Sequence, residues 1–144
     1  MSNYSEETIE EVWRKGIEIP GQNRDIFRKD AAGAIIKKSD RRVNSEFGWE
    51  IDHVCPKAQL EEYGIPEERW DDIENLRPFQ ADNNRKKSDD YPRYTREKAM
   101  NEDSFRNEIK KTRMVVNFRV QREIKEHYNL NIEIDTNSGK EDDV

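Results

Sequence analysis

The sequence has only one cysteine, Cys55, among its 144 residues. A single thiol excludes an intrachain disulfide, and without a CxxC pair there is no basis for a structural zinc site. No apolar run approaches the roughly 20 residues of a membrane span. The polar N-terminus MSNYSEET also lacks the apolar stretch of a signal peptide. We therefore expect a cytoplasmic protein without a membrane partner.

Hydrophobic side chains are scarce as well. They make up 32% of the sequence, or about 36% when the six glycines are added, whereas charged residues make up 40%. An ordinary globular domain has roughly 45–50% apolar residues when glycine is included. The length corresponds to about one domain. We therefore expect one small core with solvated helical segments and a frayed end.

The formal net charge is −6, from 26 basic and 32 acidic side chains. This balance argues against a general nucleic-acid coat, which has a basic excess. The charges are segregated, however, because residues 24–43 and 76–98 each hold seven Lys or Arg, against three and four acids. Residues 59–75 hold seven acids and one Arg, and residues 131–144 hold five acids and one Lys. Two basic segments are compatible with phosphate binding, which depends on local Lys and Arg contacts.

Local patterns divide the chain into four predicted parts: an N-terminal helix and turn (1–22), a core (23–92), a helical extension (93–130) and an acidic, disordered tail (131–144). Ser5 is a typical helix cap and Gly16 a typical helix end. Apolar residues in the extension recur in threes, fours and sevens, as in amphipathic helices. The run Met114-Val115-Val116 leaves a strand open as the alternative in its middle.

The predicted core contains two extended pieces and a helix. Side chains alternate along residues 49–54, which indicates a strand that Pro56 stops. Residues 75–78 predict a second, short extended piece, and residues 80–87 predict a helix. A helical turn is expected at residues 67–72 of the acidic connection.

Four residues of this core suit phosphodiester hydrolysis, which needs a base for water and a cation to offset negative charge. Histidine titrates near neutral pH, so His53 is the candidate base. Asp52 and Asn84 offer the hard oxygen ligands that Mg²⁺ prefers, so we expect one divalent ion, Mg²⁺ or alternatively Mn²⁺. Asn75 has both a donor and an acceptor and suits a bridge to the backbone around His53.

Basic side chains near these residues predict contacts with nucleic-acid phosphates: Arg77, Arg85, Lys86 and Lys87. One geometric difficulty is visible in the sequence. Adjacent residues of a regular strand point to opposite faces, so Asp52 and His53 serve one site only if the strand bends there. The nearby Pro56 allows such a bend.

These pieces resemble the signature of the HNH endonuclease family. The segments GWEIDHVCP and DIENLRPFQADNNRKKSD hold an acid–His pair, a middle Asn and a final Asn before a basic helix. The resemblance covers residues 44–91, about a third of the chain. Within the family, the sequence resembles small phage and bacterial HNH proteins and the HNH domain of RNA-guided nucleases. It implies a ββα-metal fold, in which two antiparallel strands and a helix surround one divalent ion.

By position, the resemblance implies that His53 is the general base, Asp52 and Asn84 are metal ligands, and Asn75 is the middle Asn. The sequence also departs from the family. The connection over residues 58–72 is longer and more acidic, and Cys55 replaces an aliphatic residue. Asn84 stands where many members have His, which predicts weaker metal binding, and Asn83 beside it competes for the assignment.

We therefore expect an α+β protein with a ββα-metal core that acts as a metal-dependent DNA endonuclease, nicking one strand or cutting both. RNA stays open as a substrate, as does a homodimer or a larger complex. A binding module on an HNH scaffold is a second hypothesis, motivated by the net acidity. A subunit active only within a larger phage or defence assembly is a third, motivated by the dense charge at both ends. The other histidine, His127, is interpreted as a surface helix residue.

Overall fold

The structure, a computed structural model, describes residues 3–137 and residue 141. Its first helix, α1 (Glu6–Trp13), begins at the predicted cap. The Ser5 hydroxyl accepts a hydrogen bond from the Thr8 backbone N–H at 3.1 Å, which satisfies a donor that the helix leaves open. Val12 and Trp13 are fully buried, so α1 packs on the rest of the protein.

A short antiparallel hairpin follows, made of β1 (Phe27–Lys29) and β2 (Ile35–Lys37). Asp30 shapes its turn, because its Oδ1 accepts from the backbone N–H groups of Ala32 and Ala34 at 3.0 and 2.9 Å. Burial raises the pKa of Asp30, although hydrogen bonds from the backbone N–H groups of Gln80 and Ala34 oppose the shift.

The centre of the fold is a second antiparallel pair, β3 (Trp49–His53) and β4 (Leu76–Gln80), followed directly by helix α3 (Ala81–Lys87). The Gln80 side chain caps α3 by accepting from the N–H groups of Asp82 and Asn83. The predicted strand, extended piece and helix are confirmed here. The protein is an α+β fold in which β3, β4 and α3 form a strand–strand–helix unit.

The connection between β3 and β4 contains helix α2 (Lys57–Glu62) and two 3₁₀ turns, Glu67–Arg69 and Ile73–Asn75. Pro56 ends the strand as predicted and stands at the N-cap of α2, a position that needs no backbone donor. The helical turn predicted for residues 67–72 forms in its first half.

The predicted helical extension over residues 93–130 is wrong in its larger part. A third antiparallel hairpin, β5 (Arg93–Met100) and β6 (Asn107–Val115), occupies residues 93–115. Only helix α4 (Phe118–Tyr128) is helical, and it begins at the cap Asn117. The apolar spacing resembled a helix, but Ile109, one of its members, is 68% exposed and contributes to no core.

Asn83 joins α3 to this hairpin. Its Oδ1 accepts from the backbone N–H groups of Glu97 and Lys98 at 2.9 and 2.7 Å. Its Nδ2 donates to the Lys98 carbonyl at 2.9 Å and to the Asp30 carboxylate at 3.1 Å. One buried amide therefore ties three parts of the chain together.

Two apolar clusters lie on either side of the β3–β4 pair. One contains Val12, Trp13, Ile36, Trp49 and Leu76. The other is larger and includes Val54, Cys55, Leu60, Phe79, Tyr94, Ile124 and Tyr128. Trp70 is partly buried and packs at its margin. The small core predicted from the composition is thus split by a two-stranded sheet.

Residues 131–137 form neither helix nor strand, but Glu141 is 1% exposed. The tail predicted to be disordered therefore has at least one ordered residue. The same prediction for residues 138–140 and 142–144 lies outside the described residues. Among the described residues, none of the helices combines the length and the apolar character that a membrane crossing needs.

Candidate functional site

His53 is the last residue of β3, and its ring is held by an acid from the connection. Its Nε2 lies 2.6 Å from Asp71 Oδ1, with the two side chains 15% and 44% exposed. An ionised carboxylate accepts but cannot donate, so the proton of the pair belongs on Nε2. In the neutral ring, Nδ1 then carries the lone pair that a general base needs.

Asn75 fixes the backbone immediately after His53. Its Oδ1 accepts from Cys55 N at 2.8 Å, and its Nδ2 donates to Cys55 O at 3.0 Å. Its own carbonyl accepts from Val54 N at 2.9 Å. Asn75 is fully buried, so both its donor and its acceptor are used by this stretch of chain. The backbone bridge expected of Asn75 is the arrangement found.

Cys55 is fully enclosed at this point. Burial raises the pKa of its thiol to about 12, although the ammonium of Lys87 opposes the shift. A thiol with so high a pKa is a poor nucleophile near neutral pH. Cys55 is therefore a small buried side chain.

Asp52 has different partners from its neighbour His53. Its Oδ2 lies 3.2 Å from Arg77 Nε, and its Oδ1 lies 3.5 Å from Lys87 Nζ. All three side chains are at most 7% exposed. Burial lowers the pKa of Lys87, and the charge of Asp52 acts against that shift. Lys87 also donates to the Val54 carbonyl at 2.9 Å, which anchors the end of β3 to α3.

Asn84, the other predicted metal ligand, contacts Glu50. Its Nδ2 donates to Glu50 Oε1 at 2.9 Å, and both residues are half-buried. Glu50 and Asp52 are two residues apart on β3 and so share a face, which is turned towards α3. Across from them, Asn84 and Lys87 lie one helical turn apart. Sequence reasoning did not single out Glu50, although its parity with Asp52 was a usable signal.

The candidate site is therefore divided by the strand. Asp52 and Asn84 belong to the α3 side of β3, together with Glu50. His53 meets Asp71 instead, and β3 continues its regular pairing to the end, where His53 stands opposite Leu76. The bend that would bring Asp52 and His53 to one face is not found.

The four predicted phosphate contacts fall into two groups. Arg85 and Lys86 are exposed on α3. Arg77 and Lys87 are 6% and 0% exposed and are bound to Asp52, so they do not offer surface contacts to a phosphate. For these two residues the prediction is corrected, because Arg77 lies buried on β4 beside Asp52 and Lys87 occupies a position of α3 that faces the core.

Arg77 has a further partner that the sequence did not indicate. Its Nη1 lies 2.9 Å from a carboxylate oxygen of Glu141, and Tyr94 donates its hydroxyl to the same carboxylate. Although burial acts to lower the pKa of Arg77, Glu141 and Asp52 together raise it. Arg77 Nη2 is buried without a hydrogen-bond partner among the described residues. Sixty-four residues separate Arg77 from Glu141, and no local pattern connects them.

A second histidine–carboxylate cluster lies on the connection beside Asp71. His127 Nε2 is 2.8 Å from Asp72 Oδ2 and 3.5 Å from Glu74 Oε1. Within the described part of the chain, these three form the one group of His, Cys, Asp or Glu side chains whose ligand atoms could hold a metal ion. Arg69 Nε lies 3.5 Å from the same Asp72 oxygen and competes with a cation there. His127 is therefore a paired residue, not a free surface histidine.

A cavity of about 800 Å³ lies along β4, between the end of α1 and the start of α4. Arg77 lines it together with Lys15, whose Nζ donates to the Leu76 carbonyl at 2.7 Å. Burial lowers the pKa of Lys15. Among the described lining residues there is no His53, Asp52 or Asn84, so the cavity is separate from the candidate site.

The chain has no match among protein-family models, curated proteins or solved structures. The resemblance to HNH endonucleases therefore rests on the sequence motif itself, and the chemistry has to be argued from the residues.

Proposed function

We propose that this chain is a metal-dependent endonuclease of the HNH type that hydrolyses phosphodiester bonds in DNA. The observation that carries the proposal is the His53–Asp71 pair at the end of β3, next to a backbone that Asn75 holds with two hydrogen bonds. An oriented histidine on a rigid strand end is what a general base requires.

The residues across β3 fit a hard divalent cation. Glu50 offers a carboxylate oxygen, and Asn84 offers an amide oxygen because it uses Nδ2 for its contact with Glu50. Asp52 could join them only by exchanging its contacts with Arg77 and Lys87. Oxygen donors without sulfur suit Mg²⁺ or Mn²⁺. Glu50 and Asn84 are half-buried and already in contact, whereas Asp52 lies deeper with Arg77 and Lys87. A bound divalent ion supplies positive charge for the phosphorane and for the departing 3′-oxygen.

The protein residues account for the proton transfer. His53 takes a proton from the attacking water through Nδ1, while Asp71 keeps the proton on Nε2 and stabilises the imidazolium that forms. Asn75 holds the backbone next to His53 with two hydrogen bonds. The water oxygen bonds to phosphorus as the bond to the 3′-oxygen breaks, and the 3′-oxygen takes a proton from solvent, which leaves 5′-phosphate and 3′-hydroxyl ends.

A second candidate function is a binding module without turnover. It is favoured by the position of Asp52, which is neutralised by Arg77 and Lys87 and lies on the opposite side of β3 from His53. A carboxylate with two buried cationic partners has a structural reason to be present. This function predicts nucleic-acid binding that does not depend on a metal, and no cleavage.

Nicking of supercoiled plasmid separates the two functions. Wild-type protein is incubated with Mg²⁺, with Mn²⁺ or with EDTA, beside Asn84→Ala and the matched control Asn131→Ala, which makes the same change at an exposed asparagine. We expect metal-dependent nicking that Asn84→Ala reduces by roughly 10–100-fold, as for loss of a group that positions a metal. Folded wild-type protein that nicks with neither metal would contradict the nuclease and favour the binding module.

A further inference from the structure

Strand β6 is open to solvent along most of its length. Residues 108–113 are all exposed, while Met114 and Val115 at its end are buried. In the described residues its sheet has two strands, and α3 covers β5 through the hydrogen bonds of Asn83. The outer edge of β6 therefore presents backbone and side chains to a partner.

Two lysines of β6 lie where its regular pairing with β5 is interrupted. The pairing shifts register between Arg96 and Lys98, so Lys110 and Lys111 together stand opposite Glu97 in a β-bulge. Within the part of the chain that the structure describes, neither ammonium group has a hydrogen-bond or ion-pair partner. These cations are consequently available to an external anion.

The basic surface continues from β6 onto α3. A groove of about 460 Å³ joins the two elements and is lined by Asp82, Arg85, Lys86, Glu97, Lys98 and Ile109. Together with Glu108, Lys110, Lys111 and Arg113 these residues form what we call the hairpin–α3 surface. It carries six basic and three acidic side chains, although the whole chain has a net charge of −6. The surface therefore has a net positive charge, although the chain as a whole is acidic.

We propose that the hairpin–α3 surface docks duplex DNA, with β6 facing a groove and Lys110 and Lys111 contacting phosphates. The choice of DNA rests on the proposed function. The charge pattern is complementary to a polyanion, and a two-stranded ribbon fits the major groove, which is about 12 Å wide. Ile109 then supplies an apolar contact in the groove.

A duplex fits this surface better than a single strand. Proteins that hold single strands without sequence preference stack the bases on aromatic side chains. The residues of the hairpin–α3 surface include no aromatic side chain. Phe105, near the hairpin turn, packs edge-on against Phe27 instead. The surface also includes Arg85 and Lys86, whose neighbour Asn84 belongs to the candidate metal site, so docking there brings a phosphate backbone to α3.

Binding is measured in EDTA, so that cleavage plays no part. Fluorescence anisotropy of a labelled duplex of about 20 base pairs compares full-length wild type with K110E/K111E across a salt series. The matched control is R122E/K125E, which makes the same change of charge on α4. We expect K110E/K111E to weaken binding by about tenfold or more at low salt and to lower the salt slope by about 2, since each phosphate contact contributes about 0.9. The control is expected to stay within about twofold of wild type.

Three results overturn the proposal: unchanged binding by K110E/K111E, an equal loss in R122E/K125E, or equal competition by a single-stranded oligonucleotide of the same length. Failure of the nuclease is a separate result. Protein that binds duplex through these lysines but never nicks would refute the nuclease and leave the surface standing. Wild-type protein that nicks, together with a K110E/K111E variant that binds duplex normally, would refute the proposed surface and leave the nuclease standing.

Discussion

Both histidines of the chain meet a carboxylate, and the two carboxylates are neighbours in the sequence. His53 Nε2 lies 2.6 Å from Asp71 Oδ1, and His127 Nε2 lies 2.8 Å from Asp72 Oδ2. Considered as isolated pairs, the two are almost the same. Their surroundings are not.

His127 belongs to the packing of α4 on the connection. Its ring also approaches Glu74, and its backbone carbonyl accepts from Arg69 Nη2 at 3.1 Å. Arg69 in turn lies 3.5 Å from Asp72, and its carbonyl accepts from the Tyr128 hydroxyl at 2.7 Å. The imidazole is one member of a network that joins two elements, which is a sufficient reason for its presence.

Among the residues that the structure describes, His53 has no such network of charges. Its ring meets one acid there, Asp71, and the backbone behind it is held by Asn75. Nδ1 is left for a substrate or a water. A short histidine–carboxylate distance therefore does not by itself identify a general base. The decisive features are the single partner and the rigid support.

Asp52 is buried, unlike these half-exposed acids, and its replacement is expected to cost the most stability. Asp52→Ala removes the counter-charge of Arg77 and Lys87, so we expect a loss of about 3–5 kcal/mol in the free energy of unfolding, as for other buried ion pairs broken on one side. Urea denaturation measures it. Asp72→Ala, whose side chain is 28% exposed, is the control and should cost far less. Equal losses would show that the burial of Asp52 is not decisive.

Asn75→Ala tests the support behind His53. It leaves two buried backbone groups of Cys55 unpaired, so we expect about 1–3 kcal/mol of destabilisation. Local opening then exposes the thiol of Cys55, whose raised pKa, about 12, and burial otherwise protect it. Labelling by a thiol reagent at pH 8 should be about tenfold faster, the equivalent of 1.4 kcal/mol. Unchanged labelling would mean that Asn75 does not hold this segment.

The two acids Asp71 and Asp72 are compared by replacing each with asparagine. Asp71→Asn keeps the shape of the side chain but removes the charge that stabilises the imidazolium of His53, so we expect nicking to slow by roughly 10–100-fold. Asp72→Asn changes only the pair of His127 and should leave the nicking rate near wild type. If both variants slowed equally, the contrast between the pairs would fail.

The sequence was sufficient for the elements that depend on local signals. Alternation at residues 49–54 and the stop at Pro56 predicted β3, and the cap at Ser5 predicted the start of α1. The predicted bridge of Asn75 to the backbone beside His53 also matches its contacts. For β3 and α1, residues close in sequence decide the conformation, whereas the bridge of Asn75 reaches Cys55 across 20 residues and was expected from the chemistry of its amide.

The missed features depend on distant contacts. The hairpin over residues 93–115 requires pairing across its turn and anchoring by Asn83. Neither is visible in the apolar spacing, which by itself suggested a helix. His127 finds Asp72 at a separation of 55 residues, and Arg77 finds Glu141 at 64. The orientation of Asp52 and His53 towards opposite faces followed from the alternation of side chains along a strand. The bend that would have brought them to one face was a wrong expectation.

The most direct test is the plasmid nicking rate of His53→Ala beside His127→Ala, at equal folded concentration with Mg²⁺. We expect His53→Ala to lose about 10²–10⁴-fold, the usual contribution of a general base, and His127→Ala to stay within a few-fold of wild type. Equal rates for wild type and His53→Ala, or a larger loss in His127→Ala, would contradict the assignment of His53 as the base.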